Sequence, residues 1–131
     1  MALEPLFCLA MVRRPRVVIF VVSEAQEQEV VVQYCDLTHI PCFHIPNGGY
    51  RHIQTAYNLK KQGVKPGVPD LCIPVARGKY HGLYIEMKSK KGRLSQRQAD
   101  WIAELRKQGY CAYCCFGAKD AITLIDRYMS L

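Results

Sequence analysis

The chain has 131 residues, 18 Lys and Arg against 11 Asp and Glu, and a formal net charge of +7. Half of its residues are hydrophobic and 22% are charged, which excludes intrinsic disorder and predicts one globular domain with a core of its own. The longest apolar run, Val17 to Val22, stops at Ser23 and Glu24, far short of the roughly 20 residues of a membrane span.

Met1 to Ala10 is mildly apolar and is followed by Arg13, Arg14 and Arg16, the reverse of the charge order in a secretory signal. Seven cysteines, an odd number, argue against a disulfide framework and for a reducing cytoplasm. A pI near 9.1 favours a polyanionic partner, most simply nucleic acid. Pro5 and Pro15 break residues 1–22, which read as an appendage ending in the β-prone run Val17–Val22. The domain proper is expected over 23–131.

Ser23-Glu24-Ala25-Gln26 is a capping box that opens a helix over about 24–37, with Glu27, Val30, Val31 and Tyr34 on one face. Phe43 to Ile45 predicts a short strand, ended by the turn Pro46-Asn47-Gly48-Gly49. Arg51 to Gln62 suits a helix closed by Gly63, and Lys65-Pro66-Gly67-Val68-Pro69 excludes regular structure. Two strand-like runs follow, Asp70 to Ala76 and Gly82 to Lys88, joined as a hairpin by Arg77 to His81. Beyond the basic loop Ser89 to Arg93, Ser95 and Gln98 form a second capping box. Its helix carries Gln98, Trp101, Ile102 and Leu105 on one stripe and ends at Gly109. Tyr110 to Phe116 is the last strand and Asp120 to Met129 the last helix. This order predicts an α/β fold, a mixed sheet flanked by helices.

Strand alternation puts Leu83, Ile85 and Met87 on an apolar face and Tyr84, Glu86 and Lys88 on the other. A Glu and a Lys inside a central strand are costly to bury without partners. A hairpin symmetric about Lys79 sets Asp70 opposite Lys88 and diagonal to Glu86, all on one face. Two carboxylates so placed suit Mg²⁺ or Mn²⁺, with Lys88 beside them to neutralise a phosphate or orient a water. A cross-strand Asp70–Lys88 salt bridge would use the same residues without any chemistry. Cys111 and Cys114, a CxxC on a strand, would point to opposite faces and cannot share a zinc. His39, His44, His52 and His81 lack ligand spacing, and Trp101 at helical spacing reads as core.

Pro69-Asp70 and Ile85-Glu86-Met87-Lys88, fifteen residues between the two acids, spell the bipartite PD-(D/E)XK nuclease motif. Pro46-Asn47-Gly48-Gly49-x-Arg51, Leu59-Lys60, Gly67-Val68-Pro69-Asp70-Leu71, His81 to Lys88, and Leu94-Ser95-x-x-Gln98-x-x-Trp101 occur in order with it. Over residues 23–129 the chain resembles the stand-alone VRR-NUC domain of phage and bacterial proteins. The resemblance implies a restriction-endonuclease-like fold, similar to archaeal Holliday-junction resolvases. It implies a metal held by Asp70, Glu86 and the Met87 backbone carbonyl, with Lys88 as catalytic lysine. It also implies a first-helix glutamate, for which Glu24, Glu27 and Glu29 compete. The resolvase pattern places apolar residues three, four and seven positions after that glutamate, and because only Glu27 matches it (Val30, Val31 and Tyr34), the resemblance makes Glu27 the expected one. Gln98 is expected to cap its helix, and also to reach the catalytic face and hold Lys88 or a phosphate.

Asn47, Gly48, Gly49, Arg51, Lys60, Lys65, Lys90, Lys91 and Arg93 flank the motif and are the expected DNA contacts, with Lys61 and Arg97 nearby. The expected activity is Mg²⁺-dependent cleavage of branched DNA such as Holliday junctions. A nuclease for flaps or ends, or a catalytically silent nucleic-acid-binding module, is the alternative. A homodimer would match the two cuts that a junction requires, and Val17–Val22 offers an apolar run for its interface.

Overall fold

The computed structural model describes residues 22–47 and 52–131. In chain order its elements are α1 (Glu24–Leu37), β1 (Phe43–His44), α2 (Ile53–Lys61), β2 (Leu71–Ile73), β3 (Leu83–Lys88), α3 (Gln96–Lys107), β4 (Cys111–Phe116) and α4 (Ala118–Met129). The strands form one sheet in the order β1-β2-β3-β4. The first two pairings are antiparallel and β3–β4 is parallel, with α3 as the crossover. The α/β expectation holds, and each predicted element is present.

Both capping boxes form. Ser23 and Gln26 exchange side-chain and backbone hydrogen bonds at the start of α1, and Ser95 and Gln98 do so at α3. Each box satisfies two of the N–H groups that a helix start leaves unpaired. The apolar face of the sheet (Leu71, Ile73, Leu83, Ile85, Met87, Cys111 and Cys115) packs against Val31 and Cys35 of α1 and against Ala118, Ala121, Ile125 and Tyr128 of α4. Ile102 of α3 is buried on the chain's other helix layer. The alternation read for β3 is therefore correct on its apolar side.

The buried face of α1 keeps Val31, with Tyr34 packed beside it, and departs from the expected one at Val30. Val31 and Cys35 face the sheet, whereas Val30 is 45% exposed. One turn before Val31 the partly buried positions are Glu27 and Gln28, both polar, while Glu24 is exposed. Gln28 Nε2 lies 3.0 Å from His44 Nδ1, the nitrogen that also faces the Asp70 carbonyl and can bond only one of the two at a time. Apolar periodicity misses such a face because hydrogen bonding, not hydrophobicity, fills part of it.

The hairpin register also differs. Leu71 pairs with Ile85, Cys72 with Tyr84 and Ile73 with Leu83, two residues away from the symmetric expectation. Arg77 and Tyr80 bridge around Gly78-Lys79, with Gly78 at φ +52°. Three residues, Pro74 to Ala76, then stand against only two, His81 and Gly82, before regular pairing begins. Pro74 has no N–H to give the ladder, and β2 stops at Ile73. A shift of two keeps every side chain on its predicted face. It sets Asp70 level with Glu86 rather than with Lys88.

Strand β4 is an edge among the described residues, and side chains guard it. Cys111 and Gly117 give their N–H groups to β3, so the even-numbered residues between them face outward. Arg106 Nε donates to the Ala112 carbonyl at 2.9 Å, and the Phe116 N–H donates to Asp120 Oδ2 at 2.9 Å. Both ends of the edge are thereby closed to a further strand. Val17 to Val21, Gly48, Gly49 and Arg51 lie outside the described residues.

Candidate active site

Asp70 and Glu86 meet where the sheet opens. Pairing between β2 and β3 ends at Leu71 and Ile85, and the next β3 N–H on that side belongs to Met87. It donates to Asp70 Oδ2 at 2.8 Å, so a carboxylate takes the place of a backbone partner. The N–H and C=O of one strand residue point the same way, and the Met87 carbonyl therefore shares the side on which Asp70 sits.

Glu86 is the one charged residue buried in the core among the described residues, at 4% exposure. Burial, reinforced by the Asp70 carboxylate beside it, pushes its pKa up to about 8, with Lys88 pulling the other way. Asp70 is also raised by burial, a shift that the Met87 N–H, His44 and Lys88 oppose. Lys88 Nζ lies 3.8 Å from Glu86 Oε1. The bare α-carbon of Gly92 packs over its stem, where an added Cβ would come within 3.3 Å of Lys88 side-chain carbons. The alternative Asp70–Lys88 salt bridge is not what forms: the lysine's ion pair is with Glu86.

Gln98 does two jobs with one amide. Its Oε1 accepts the Ser95 N–H at 2.9 Å, closing the cap, and its Nε2 donates to Glu86 Oε1 at 2.6 Å. It reaches the sheet face that carries Glu86, and it holds that carboxylate rather than Lys88. The cap fixes which end of the amide points inward.

The two first-turn glutamates take different partners. Glu27 Oε2 accepts the N–H of Ala118 at 2.7 Å, at the start of α4. Its charge meets the positive end of that helix. Glu24 Oε1 accepts the Ser89 N–H at 3.1 Å, immediately after β3, and its charge acts on both Asp70 and Glu86. Apolar spacing favours Glu27 only where the inner face of the helix is apolar. Here the positions three and four after Glu24 are Glu27 and Gln28, each with a polar partner of its own.

His44 lacks ligand spacing in the sequence, yet its Nδ1 lies 2.8 Å from the Asp70 carbonyl oxygen. Only β1–β2 pairing brings the two together. Among the expected DNA contacts, the Asn47 side chain donates to the Val68 carbonyl at 3.3 Å, in the loop before β2. Lys60 and Lys65 share a pocket with Arg97 and Trp101, and Lys90 lines another with Glu27 and Lys119. Lys91 and Arg93 are exposed. The six described cysteines are free, with Cys111 buried and Cys114 partly so.

No three His, Cys, Asp or Glu side chains converge as a ligand cluster among the described residues. Two carboxylates and a carbonyl are nonetheless an ordinary share for Mg²⁺, which keeps several waters and dehydrates reluctantly. The crowding of buried negative charge that raises Glu86 is what a divalent cation would relieve. The residues fit the ion.

No helix of the described residues is long and apolar enough to cross a membrane. The comparison with curated proteins gives no match. A solved structure described as a VRR_NUC domain protein is similar to this chain, at 32% identity and a TM-score of 0.72. The match covers 85% of this chain and 91% of that one. The VRR-NUC domain family matches residues 21–119, which include Glu24, Asp70, Glu86, Lys88 and Gln98, and the chain belongs to that family of nuclease domains.

Proposed function

We propose that the chain is a Mg²⁺-dependent (or Mn²⁺-dependent) endonuclease that hydrolyses DNA phosphodiesters at branched structures such as four-way junctions. The observation that carries the reading is the pairing of buried Glu86 with half-buried Asp70, with Lys88 at 3.8 Å and Gln98 at 2.6 Å from the same Glu86 oxygen. Asp70, Glu86 and the Met87 carbonyl would hold the ion, and Glu24 is the helix carboxylate that belongs with them. A divalent cation supplies positive charge at the reacting phosphate and eases deprotonation of an attacking water. Lys88 brings a compact ammonium to the same place, able to neutralise a phosphate oxygen or orient that water. Gln98 holds the Glu86 carboxylate in one orientation, and the Met87 N–H holds Asp70.

A junction needs two opposed cuts and one chain carries one site, so the functional unit is a homodimer. With both ends of the β4 edge occupied by Arg106 and Asp120, its interface lies elsewhere than in strand addition at β4. One cleavage panel tests the proposal. Labelled linear duplex, flap, splayed-arm and four-way-junction DNA are incubated with Mg²⁺, Mn²⁺ or EDTA, with Lys88→Ala as control. Metal-dependent cutting of the junction, lost in the control, is expected. Binding without cleavage of any substrate would reduce the chain to a silent nucleic-acid-binding module, and preference for the flap would move its substrate to DNA ends.

A further inference from the structure

About one helical turn along α3 from Gln98, a pocket of about 390 Å³ opens between α2, the loop before β2 and α3. Its wall holds Lys60 from α2, Lys65 and Pro66 from the loop, and Arg97, Asp100 and Trp101 from α3. Three cations stand against one carboxylate. Trp101 is only partly buried, so the residue whose spacing read as core is a pocket wall. The loop is fixed to the helix at Gly67, whose φ is +91° and whose α-carbon lies so close to Arg97 that a Cβ would meet its backbone at 2.7 Å. Pro66, beside Gly67, stiffens the same rim.

We propose that this pocket binds one unpaired nucleotide of the DNA strand, its base against the Trp101 indole and its phosphate among Lys60, Lys65 and Arg97. The inference rests on the reading of the chain as a DNA nuclease and names what such a nuclease would recognise. The volume is within the range of small-ligand pockets and suits a nucleotide. Cations that track a backbone beside an aromatic stacking surface are the usual equipment for single-stranded nucleic acid. A base inside a duplex has both faces already stacked, so an indole wall selects one that is unpaired, as at a branch point or a strand end. The same helix carries Gln98 to Glu86 and Trp101 to the pocket, so an unpaired nucleotide held here would place the neighbouring backbone toward Asp70 and Glu86.

Trp101 is the single tryptophan of the chain, and its fluorescence reports the pocket directly. The full-length protein in EDTA, where no metal-dependent cleavage occurs, is titrated with a thymidine hexanucleotide, an abasic strand of the same length, and thymidine monophosphate. The hexanucleotide is expected to quench Trp101 and the abasic strand to leave it unchanged. By anisotropy, Trp101→Leu is expected to weaken the hexanucleotide about tenfold, toward the abasic strand, as the loss of one stacked base predicts. Trp101→Phe, which keeps an aromatic face, is expected to retain part of the preference for the hexanucleotide. Lys65→Ala and Arg97→Gln weaken both strands. Equal quenching by the abasic strand, no quenching, or a Trp101→Phe protein of native circular dichroism that tells the strands apart no better than Trp101→Leu would overturn the assignment. Monophosphate binding as tight as the strand would make the pocket a free-nucleotide site and overturn the strand as its ligand. Because the assay uses no metal, cleavage failing while quenching persists removes the nuclease reading, and quenching failing while cleavage persists removes the pocket.

Discussion

Replacing Glu86 with Gln should abolish cleavage and yet stabilise the metal-free protein. The Glu86 carboxyl is 4% exposed, and burial together with Asp70 raises its pKa from 4.5 to about 8. Between those values the native state holds a proton that the unfolded chain releases, so stability falls as pH rises through that window. A tenfold difference in acidity between the folded and unfolded states is worth about 1.4 kcal/mol, which sets a ceiling of about 5 kcal/mol for the full interval. Glu86→Gln deletes the charge and keeps an oxygen for Gln98 Nε2 to donate to. At pH 8 in EDTA the variant should therefore melt above the wild type. Even about 1.5 kcal/mol corresponds to roughly 6 °C in a domain of this size. Near pH 5, where Glu86 is already protonated, the two curves should converge. Mg²⁺ should raise the wild-type melting temperature at pH 8 and do little for the variant. Thermal scans by circular dichroism at both pH values decide the matter. A variant that melts with or below the wild type at pH 8 without metal would show that Glu86 is not a strained buried charge.

Asp70→Asn and Lys88→Ala should each abolish cleavage while DNA binding in a gel-shift assay persists, and full activity of purified Asp70→Asn would remove the metal assignment. Glu24→Gln should lower the cleavage rate at least tenfold, about 1.4 kcal/mol in barrier. Glu27→Ala should instead cost about 1 kcal/mol of stability by uncapping Ala118, seen as a lower denaturation midpoint; the opposite ranking of the two in single-turnover assays would restore Glu27 to the site. Binding of the Lys88→Ala protein to duplex DNA should fall with salt at a log–log slope of about −5 if five or six phosphates are contacted, and a slope near zero would place Lys90, Lys91 and Arg93 away from DNA. Sedimentation equilibrium at micromolar concentration should give twice the 15.0 kDa chain mass. A monomer throughout would refute the homodimer, and a dimer that survives removal of residues 1–22 would clear that segment.

Local rules carried much of the fold. Ser23 with Gln26 and Ser95 with Gln98 are short-range chemistry, and they set both helix starts where the sequence placed them. Alternation along Leu83 to Lys88 separated the core face from the chemical face, because strand side chains alternate whatever the register. The acids and the lysine of the PD-(D/E)XK pattern were legible for the same reason: Asp70, Glu86 and Lys88 lie on or beside two paired strands.

Tertiary structure decided what depends on partners remote in sequence. Glu24 and Glu27 sit on one helix, three residues apart, and apolar spacing alone pointed to Glu27. Their different partners come from the tertiary fold: the Ser89 N–H just after β3 donates to Glu24 and the Ala118 N–H at the start of α4 donates to Glu27. His44 reached Asp70 through β1–β2 pairing, and the unequal limbs beyond Arg77 and Tyr80 moved the register by two. Trp101 became a pocket wall because Lys60 and Lys65 arrive from another helix and its loop. Burial, with Asp70 beside it, then pushed the pKa of Glu86, an ordinary carboxylate in the sequence, up to about 8 in the metal-free protein.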